Sequence, residues 1–392
     1  MENLKTIFYL LISIVIYSYI GYGILLYMII KLKRIFKTKK NLTINHDLPD
    51  VTIVIAAYNE ELFIENKITN TFNLNYPKDK LNVLVVADGS SDETIDIIKQ
   101  YPKVTLLYEK LRQGKTAAIN RAMEFVKTPI TIFTDANTAL NTDAVMNIVK
   151  HFNNIEIGCV AGEKRISVSE FDKASSAGEG IYWKYESKLK QWDYELYSTA
   201  GAAGELFAIR TQLYTPISED TILDDFMISL KIVEKGYRIA YEPNAYAIEH
   251  SSLNTHEELK RKTRICAGGF QAITRLTSLL NFMKFPWFTF QYISHRVLRW
   301  TLAPLALILL IPIHLIVLKS NDPIITTMFY AHTSFYLLVL IGWILEEKRI
   351  RMKMFFIPYY FYLMNYSVII GFKKFISNKQ EHIWQRAERA TI

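Results

Sequence analysis

The sequence has little cysteine and little charge. Its 392 residues include only two cysteines, Cys159 and Cys266, which exclude a disulfide-stabilised scaffold and a cysteine-rich zinc site, and which we expect to be small buried residues. Charged residues make up only 21% of the chain and hydrophobic residues 50%, a balance too apolar for a disordered chain or an ordinary soluble enzyme. We therefore expect two unlike parts, one in a membrane and one in water.

Long apolar runs lie at the two ends of the chain. Residues 7–30 contain no charged side chain, and at about 1.5 Å per residue a helix of this length exceeds the roughly 30 Å hydrocarbon core of a bilayer. Three further candidate spans lie at 301–318, 323–345 and 354–372. A cleaved signal peptide is a poorer interpretation of the first run, because its apolar region would be shorter and preceded by positive charge.

Basic residues predict the orientation of these spans. Six Lys and Arg side chains, and no acidic residue, occur between 31 and 40, which places that end in the cytoplasm and the chain in the cell (inner) membrane. The formal net charge of +8 is thus mainly membrane-flanking, and we expect no nucleic-acid partner. A span at 354–372 would put the basic tail outside, so either it dips and returns, or a further span exists around 283–300, which suits an interfacial helix better.

The stretch between the apolar runs is long enough for an α/β domain. Strand-like runs at 51–57, 81–87, 104–108 and 130–133 alternate with helical patterns at 61–71, 91–100 and 115–126, which predicts a doubly wound, mostly parallel sheet. We divide the chain into four parts: an N-terminal transmembrane helix and basic segment (1–45), a cytosolic domain (46–281), an interfacial helix with about three transmembrane helices (282–372) and a basic tail (373–392).

Polar residues follow three of the predicted strands. They are the segments Tyr58-Asn-Glu60, Asp88-Gly-Ser90 and Asp135-Ala-Asn137. Each alone could be a helix cap or a turn. Because ligands of such sheets bind at the carboxyl ends of the strands, the three together indicate a ligand site at one edge.

Five segments in this order resemble the family 2 inverting glycosyltransferases. They are VTIVIAAYNEE (51–61), VADGSSDET (86–94), FTDANT (133–138), LDDF (223–226) and RKTR (261–264). More closely they resemble the membrane-embedded processive branch, which includes cellulose, hyaluronan and poly-β-1,6-N-acetylglucosamine synthases. The resemblance covers the flanking spans too, and implies a GT-A type α/β fold between N- and C-terminal transmembrane helices.

The resemblance implies a donor site for a UDP-sugar. Four residues would hold the uridine: Ala57, Tyr58, Glu60 and Asp88. Carboxylates suit the uracil imide and the ribose hydroxyls as acceptors. Lys115, in the Gly-Lys segment 112–120, would approach the diphosphate. A P-loop interpretation of this segment fails, because the earlier glycine position holds Glu109.

Asp135 and Asn137 occupy the place of the family's Asp-x-Asp metal motif. A hard cation, Mg²⁺ or Mn²⁺, needs oxygen ligands and would neutralise the diphosphate leaving group. Asn137 stands where the family has a second aspartate, and its carbonyl oxygen can bind a metal but brings no charge. Metal choice therefore stays open.

Two arginines, Arg261 and Arg264, stand where the processive enzymes carry Gln/Arg-x-x-Arg-Trp. At this spacing they share a helix face and can bind phosphate oxygens of the donor, although a solvated basic face is the simpler alternative. Ile265 replaces the tryptophan that, by family analogy, contacts the acceptor sugar. This departure leaves processivity open.

Asp225 is the predicted catalytic residue. It is the second member of an acidic pair, and by resemblance it serves as the general base that takes the proton of the attacking acceptor hydroxyl. Asp224 and Gly201 are assigned to the acceptor side, where small residues would let a sugar approach the backbone. The alternative for the pair is an acidic helix start favoured by the helix dipole.

The resemblance predicts inverting transfer of a hexose, best matched by N-acetylglucosamine, from a UDP-sugar to a growing β-linked polysaccharide, with export through the membrane helices as a further option. One alternative is transfer of a single hexose to a lipid acceptor, polyprenyl phosphate or diacylglycerol. Another is a non-catalytic subunit of a polysaccharide export complex. The expected partners are the donor, a polysaccharide or lipid-linked acceptor, the bilayer, and export or accessory proteins.

Overall fold

A mixed sheet forms the centre of the globular domain. The structure is a computed structural model that describes residues 1–36, 47–167, 175–250, 255–348, 350 and 352–377. Within these ranges the sheet has eight strands in the order β3-β2-β1-β4-β7-β6-β8-β5. The strands are β1 (Val51–Ala57), β2 (Leu81–Asp88), β3 (Val104–Glu109), β4 (Ile130–Asp135), β5 (Ala139–Leu140), β6 (Ile157–Ser167), β7 (Phe207–Arg210) and β8 (Arg238–His250).

The first four strands form a parallel half-sheet. β1 lies between β2 and β4, with Val51 beside Leu81 on one side and beside Ile130 on the other, and β3 pairs with β2. β7 is antiparallel to both β4 and β6, whereas β8 is parallel to β6. The predicted fold, a doubly wound and mostly parallel sheet, is confirmed.

Helices cover the two faces of the sheet. They are α3 (Ile64–Phe72), α4 (Thr94–Lys99), α5 (Lys115–Phe125), α6 (Ala144–Val149), α7 (Ser175–Leu196), α8 (Asp224–Glu234) and α9 (Thr255–Arg275). The helices α3 and α4 each begin three residues later than predicted, because the turns before them bind each other. The Asn59 side chain accepts from the Ser91 amide at 2.8 Å, and the Thr94 hydroxyl accepts from the Glu60 amide at 2.8 Å.

Two apolar clusters, one on each face, make up most of the domain core. Ile53 and Ile55 of β1 pack with Ile64 and Ile68 of α3 in one cluster. Val54, on the opposite face of the same strand, belongs to the second, with residues of β4, β7 and α8. This alternation follows from the two-residue period of a strand. Cys159 and Cys266 are buried free cysteines, as predicted.

The remaining helices lie outside the sheet. They are α1 (Glu2–Ile16) and α2 (Tyr22–Phe36), joined by a π-helical turn, and α10 (Pro286–Tyr292), α11 (Leu298–Trp300), α12 (Leu302–Val317), α13 (Pro323–Glu347) and α14 (Lys353–Ile376). Four segments are long and apolar enough to cross a membrane: Glu2–Ile35, Leu302–Ser320, Pro323–Glu347 and Lys353–Ile376. This is the composition of a membrane protein. Lys37, Lys39 and Lys40 of the basic segment, and the tail after 377, lie outside the described residues.

A buried polar cluster joins the first membrane helix to the domain. The Tyr22 hydroxyl donates to Asp193 of α7, and the ring of His295 lies between Asp193 and Glu186, 3.1 Å from the latter. Arg299, just before α12, also reaches Glu186 at 3.2 Å. Tyr22, Asp193 and His295 are fully buried. The stretch 283–300, predicted to be an interfacial helix, thus packs against α7 through charged and polar groups.

Candidate active site

One pocket opens at the carboxyl ends of β1, β2 and β4. Its lining includes every residue predicted to bind the uridine, the diphosphate or the metal. These residues are Ala57, Tyr58, Glu60, Asp88, Lys115, Asp135 and Asn137. The parallel register explains this convergence, since Ala57 lies beside Ala87, and Ala56 beside Asp135, on neighbouring strands. The edge of the sheet therefore gathers side chains that are far apart in the sequence.

Lys115 is at the centre of the site. It is the first residue of α5, after Gly114, whose φ of 101° is readily adopted only by glycine. Its ammonium lies 2.7 Å from Asp135 Oδ1 and 3.5 Å from Asp224 Oδ2. Burial disfavours the charged form, but the charges of Asp135, Asp224 and Asp225 outweigh it and raise the pKa of Lys115 above its usual range.

The carboxylate of Asp135 ends β4 at the mouth of the pocket. Burial raises the pKa of Asp135, and the charge of Lys115 opposes that shift. Asp135 and Asn137 offer carboxylate and amide oxygens, the ligand types that Mg²⁺ and Mn²⁺ prefer. Within the described ranges no group of three or more His, Cys, Asp or Glu side chains is placed to hold a metal. These two residues therefore fit a cation that takes its other ligands from a bound diphosphate.

The acidic pair Asp224-Asp225 begins α8, next to Lys115. Burial raises the pKa of Asp225 to about 7, and the neighbouring charge of Asp224 adds to the rise. A carboxylate with such a pKa is a stronger base than an ordinary aspartate, while remaining largely ionised above neutral pH. This shift is in the direction that the predicted role of Asp225 requires.

Gly201, which is predicted to lie on the acceptor side, and the nearby Gly204 have different surroundings. A Cβ on Gly201, which has φ +103°, would lie 2.3 Å from the ring of Phe226. A Cβ on Gly204 would instead lie 3.1 Å from Lys115 Nζ and 3.4 Å from Asp225 Oδ2. Gly201, the predicted residue, lets the loop pack against Phe226, whereas Gly204 lies beside Lys115 and Asp225.

Asp88 holds the loop that precedes Lys115. Its Oδ2 accepts from the backbone amides of Gln113 and Gly114 at 3.0 and 2.6 Å, and its Oδ1 accepts from Arg121 at 2.8 Å. The guanidinium of Arg112 stacks on Tyr58, 3.5 Å from the ring centre. Asp88 lines the pocket as predicted, and it also positions the lysine loop.

The two predicted arginines are in different places. Arg264 donates to the carbonyl of Ile222 at 2.9 Å, beside the acidic pair, and burial lowers its pKa against the opposing charge of Asp224. Arg261 forms a two-pronged ion pair with Glu258, 3.0 Å at each contact. Arg264 is therefore close to the acidic pair, whereas Arg261 is paired with Glu258 outside the pocket.

Lys67 is a functional candidate that the motifs do not reveal. It is 2% exposed, and its ammonium donates to Thr134 Oγ1 at 2.8 Å and to the Thr138 carbonyl and hydroxyl at 2.8 and 3.1 Å, beneath Asp135. A sequence signal existed, because Lys67 lies in the apolar stripe of α3 with Ile64, Ile68 and Thr71. A lysine in such a stripe indicates a buried partner.

Comparison with known proteins gives one family and several relatives. Residues 52–215 match the family described as Glycosyl transferase family 2. The probable glycosyltransferase YdaM of Bacillus subtilis (strain 168) is 23% identical over 382 residues, which cover 88% of this chain and 87% of that protein. A poly-beta-1,6-N-acetyl-D-glucosamine synthase of Staphylococcus aureus (strain COL) is 26% identical over 278 residues, 68% of this chain and 66% of the synthase.

A solved structure shares the fold over nearly the whole chain. The mannosyltransferase PcManGT from Pyrobaculum calidifontis, solved in complex with GDP-Man and Mn²⁺, superposes with a TM-score of 0.72 at 20% identity. The match covers 96% of this chain and 99% of that one. The GT-A type fold predicted from the sequence is confirmed.

Proposed function

We propose that this glycosyltransferase, which carries a family 2 domain at residues 52–215, transfers a hexose with inversion from a UDP-sugar to a growing β-linked polysaccharide. N-acetylglucosamine is favoured because a poly-N-acetylglucosamine synthase is among the relatives. The observation that carries the proposal is the position of Lys115 between Asp135 and the pair Asp224-Asp225. This arrangement brings the proposed diphosphate and metal groups into contact, with the proposed base close enough to act electrostatically on the same lysine.

The charge of the site supports a divalent cation. Asp135, Asp224 and Asp225 face both Lys115 and Arg264, so the carboxyl groups outnumber the cations three to two before a diphosphate adds its own negative charge. Asp135 and Asn137 would hold Mg²⁺ or Mn²⁺, which supplies positive charge for the departing nucleoside diphosphate. The presence of Mn²⁺ in the mannosyltransferase structure supports this assignment.

The protein residues have separate tasks in the transfer. Lys115 would hold the diphosphate so that its bond to the sugar points away from the acceptor. Asp225 would accept the proton of the acceptor hydroxyl while the new C–O bond forms and the bond to the diphosphate breaks on the opposite face, which inverts the anomeric carbon. Gly204 leaves room for the acceptor beside Asp225. The second product is the nucleoside diphosphate.

The basic residues beside the membrane helix support a cytoplasmic location for the globular domain. Lys31, Lys33 and Arg34 end α2 on the side of the globular domain. By the positive-inside tendency this side is the cytoplasm, with the helices in the inner membrane. A cytoplasmic site would draw on the cytoplasmic pool of nucleotide sugars.

A lipid acceptor is a second candidate, favoured by the packing next to Asp225. The ring of Phe226 meets Trp300 at 5.5 Å, and Trp300 is two residues before α12 enters its apolar stretch. The Phe226–Trp300 pair therefore connects the predicted base, Asp225, to the start of a membrane helix. A hydroxyl or phosphate at the bilayer surface could reach it without leaving the membrane.

The experiment is a donor screen with the full-length protein in lipid vesicles. Labelled UDP-N-acetylglucosamine, UDP-glucose, UDP-galactose, UDP-glucuronate and GDP-mannose are supplied separately, with Mg²⁺, with Mn²⁺ or with EDTA. We expect metal-dependent incorporation from UDP-N-acetylglucosamine into a high-mass product that a glycosidase degrades. A lipid carrying one or two sugars would support the second candidate instead, and incorporation only from GDP-mannose would refute the UDP-sugar assignment.

A further inference from the structure

The helix α14 begins on the side of the catalytic domain. The preceding helix α13 ends beside α9, where Thr255 Oγ1 donates to Glu346 at 3.3 Å. Gly342 of α13 allows the start of α14 to pack closely, because a Cβ there would lie 2.8 Å from Tyr359. The turn between α13 and α14 is therefore next to the globular domain.

From Tyr360 onward, α14 runs alongside α9. Tyr360 contacts Glu258 at 3.5 Å, and Ser367 Oγ lies 3.8 Å from Cys266 Sγ. Further along, Phe375 stacks on Phe270 with ring centres 6.0 Å apart. As the contacts advance along α14 they also advance along α9, so the two helices are parallel neighbours over this stretch.

Close packing near the end of α14 supports the same arrangement. Gly371 has no side chain, and a Cβ there would lie 2.8 Å from the carbonyl oxygen of Thr263 and 3.0 Å from the amide of Ala267. Phe372 meets Phe270 at 4.9 Å. The end of α14 is therefore held against α9 by backbone proximity as well as by side chains.

The helix α9 belongs to the catalytic domain along this stretch. Gln271 donates to the Asp220 carbonyl at 2.9 Å, and Arg275 reaches the Thr221 hydroxyl at 3.2 Å. Ala272 and Leu276 are part of the apolar cluster that includes α8. A helix that ends against Phe270 of α9 thus ends next to the segment that leads into the acidic pair.

A contact between Lys5 and Asp322 identifies the opposite side of the membrane. Lys5, near the start of α1, lies 3.4 Å from Asp322 in the turn between α12 and α13. A fourth crossing would carry the end of α14 to that level, but the observed contacts of residues 367–375 are with α9. Both ends of α14 are therefore on the catalytic side.

The outer face of α14 has the composition of a helix in a membrane surface. An exposed stripe recurs every three to four residues and consists of Tyr362, Tyr366, Ile369, Phe372 and Ile376. Lys373 and Lys374 are exposed next to it, whereas Leu363, Val368 and Gly371 are buried on the opposite face. Tyrosines and lysines flanking apolar side chains are typical of the interface between headgroups and acyl chains.

We propose that α14 lies in the bilayer surface on the side of the catalytic domain, with the stripe 362–376 against lipid and the lysines at the headgroups. Three of the four candidate spans then cross the membrane. Lys373, Lys374 and Lys348 lie on the same side as Lys33 and Arg34, which agrees with the positive-inside tendency that a crossing α14 would violate.

Cysteine labelling tests the side on which α14 ends. Ser377→Cys, Lys319→Cys in the turn between α12 and α13, and Leu111→Cys on the catalytic domain are made in the full-length protein, whose two native cysteines are buried. Intact cells and inside-out vesicles are treated with a membrane-impermeant maleimide. We expect Ser377→Cys to label in the same preparation as Leu111→Cys and in the opposite one from Lys319→Cys. Labelling of Ser377→Cys together with Lys319→Cys would overturn the proposal.

Depth measurement tests whether α14 contacts lipid at all. A spin label on Ile369→Cys is compared with one on Leu337→Cys in α13, using oxygen and a water-soluble nickel complex as relaxation agents. We expect the label at 369 to be shallow, with substantial access to both agents, and the label at 337 to be deep and accessible mainly to oxygen. Equal depth at the two positions would contradict a surface helix, and loss of oxygen access at 369 would show that protein covers the stripe.

Discussion

At the scale of single residues, the proposed chemistry depends on four charged side chains. Lys115 is in contact with Asp135 and Asp224, and Asp225 follows in the first turn of α8. Because like charges are concentrated there, removing one changes the balance of the site more than the loss of one hydrogen bond would suggest.

The replacement Asp225→Asn tests the proposed base. An amide cannot take the proton of the acceptor, so we expect turnover to fall by about 10² to 10⁴-fold, with donor binding retained. Donor binding is measured by calorimetry with UDP in the presence of Mn²⁺, and turnover by sugar incorporation. Glu219→Gln, an exposed acid outside the pocket, is the matched control and should retain full turnover. Full turnover of Asp225→Asn would exclude this base.

The pH dependence of turnover follows from the pKa of Asp225, which burial and Asp224 raise to about 7. Only the ionised carboxylate can accept a proton, so the rate should rise as the pH increases through about 7 and then level off. An ordinary aspartate would give a rise near pH 4. The measurement is the initial rate across the pH range at saturating donor. A rate that is already maximal well below neutral pH would contradict the assignment.

The replacement Lys67→Met tests whether the buried lysine positions the Asp135–Asn137 loop. Loss of the ammonium removes three hydrogen bonds from Thr134 and Thr138. Both hydroxyls keep other partners, but the buried Thr138 carbonyl loses its donor, and a buried polar group left unpaired costs about 1–3 kcal/mol. We expect a higher KM for the donor and a higher metal requirement, beyond any lowering of Tm. Lys67→Arg should restore part of the donor affinity, and the exposed Lys99→Met should change neither quantity. A lower Tm with an unchanged KM would show a structural role only.

At the scale of elements, strands were easier to predict than the relations between helices. The runs at 51–57 and 81–87 reappear nearly unchanged as β1 and β2, because a buried parallel strand requires continuous apolar residues. The packing of α14 on α9 depends on Gly371 and on the partners of Phe270, contacts for which hydropathy gives no signal. The length and type of an element could therefore be predicted from its local sequence. The elements against which it packs could not.

Gly201 and Gly204 offer a matched pair of glycine replacements in the loop that is predicted to contact the acceptor. Gly201→Ala places a Cβ 2.3 Å from Phe226 at a positive φ, so we expect it to destabilise the fold by about 1–3 kcal/mol. Gly204→Ala projects towards the ends of Lys115 and Asp225, and it should lower turnover with little change in Tm. Thermal unfolding and sugar incorporation separate the two effects. Equal losses of stability would mean that Gly204 is only a structural residue.

At the scale of the whole molecule, the sequence predicted the fold and the pocket better than the membrane arrangement. All the residues predicted to hold the uridine and the metal share one pocket, because parallel strands bring distant motifs to one edge. Arg261 and Gly201 are held instead by Glu258 and Phe226, through packing that motifs do not encode. Their proposed roles, like those of the other site residues, stay predictions.

The cluster of Tyr22, Asp193 and His295 has a consequence for how the protein is made. The ring of Tyr22 is fully buried and belongs to α2, which leaves the ribosome well before Asp193 and His295 are synthesised. The domain can therefore be completed only after that helix is in place, since otherwise a cavity opens and Asp193 loses a partner. Membrane insertion would then precede the folding of the soluble part, which requires the inserted helix. We therefore expect an enzyme expressed without residues 1–36 to be captured by chaperones or degraded.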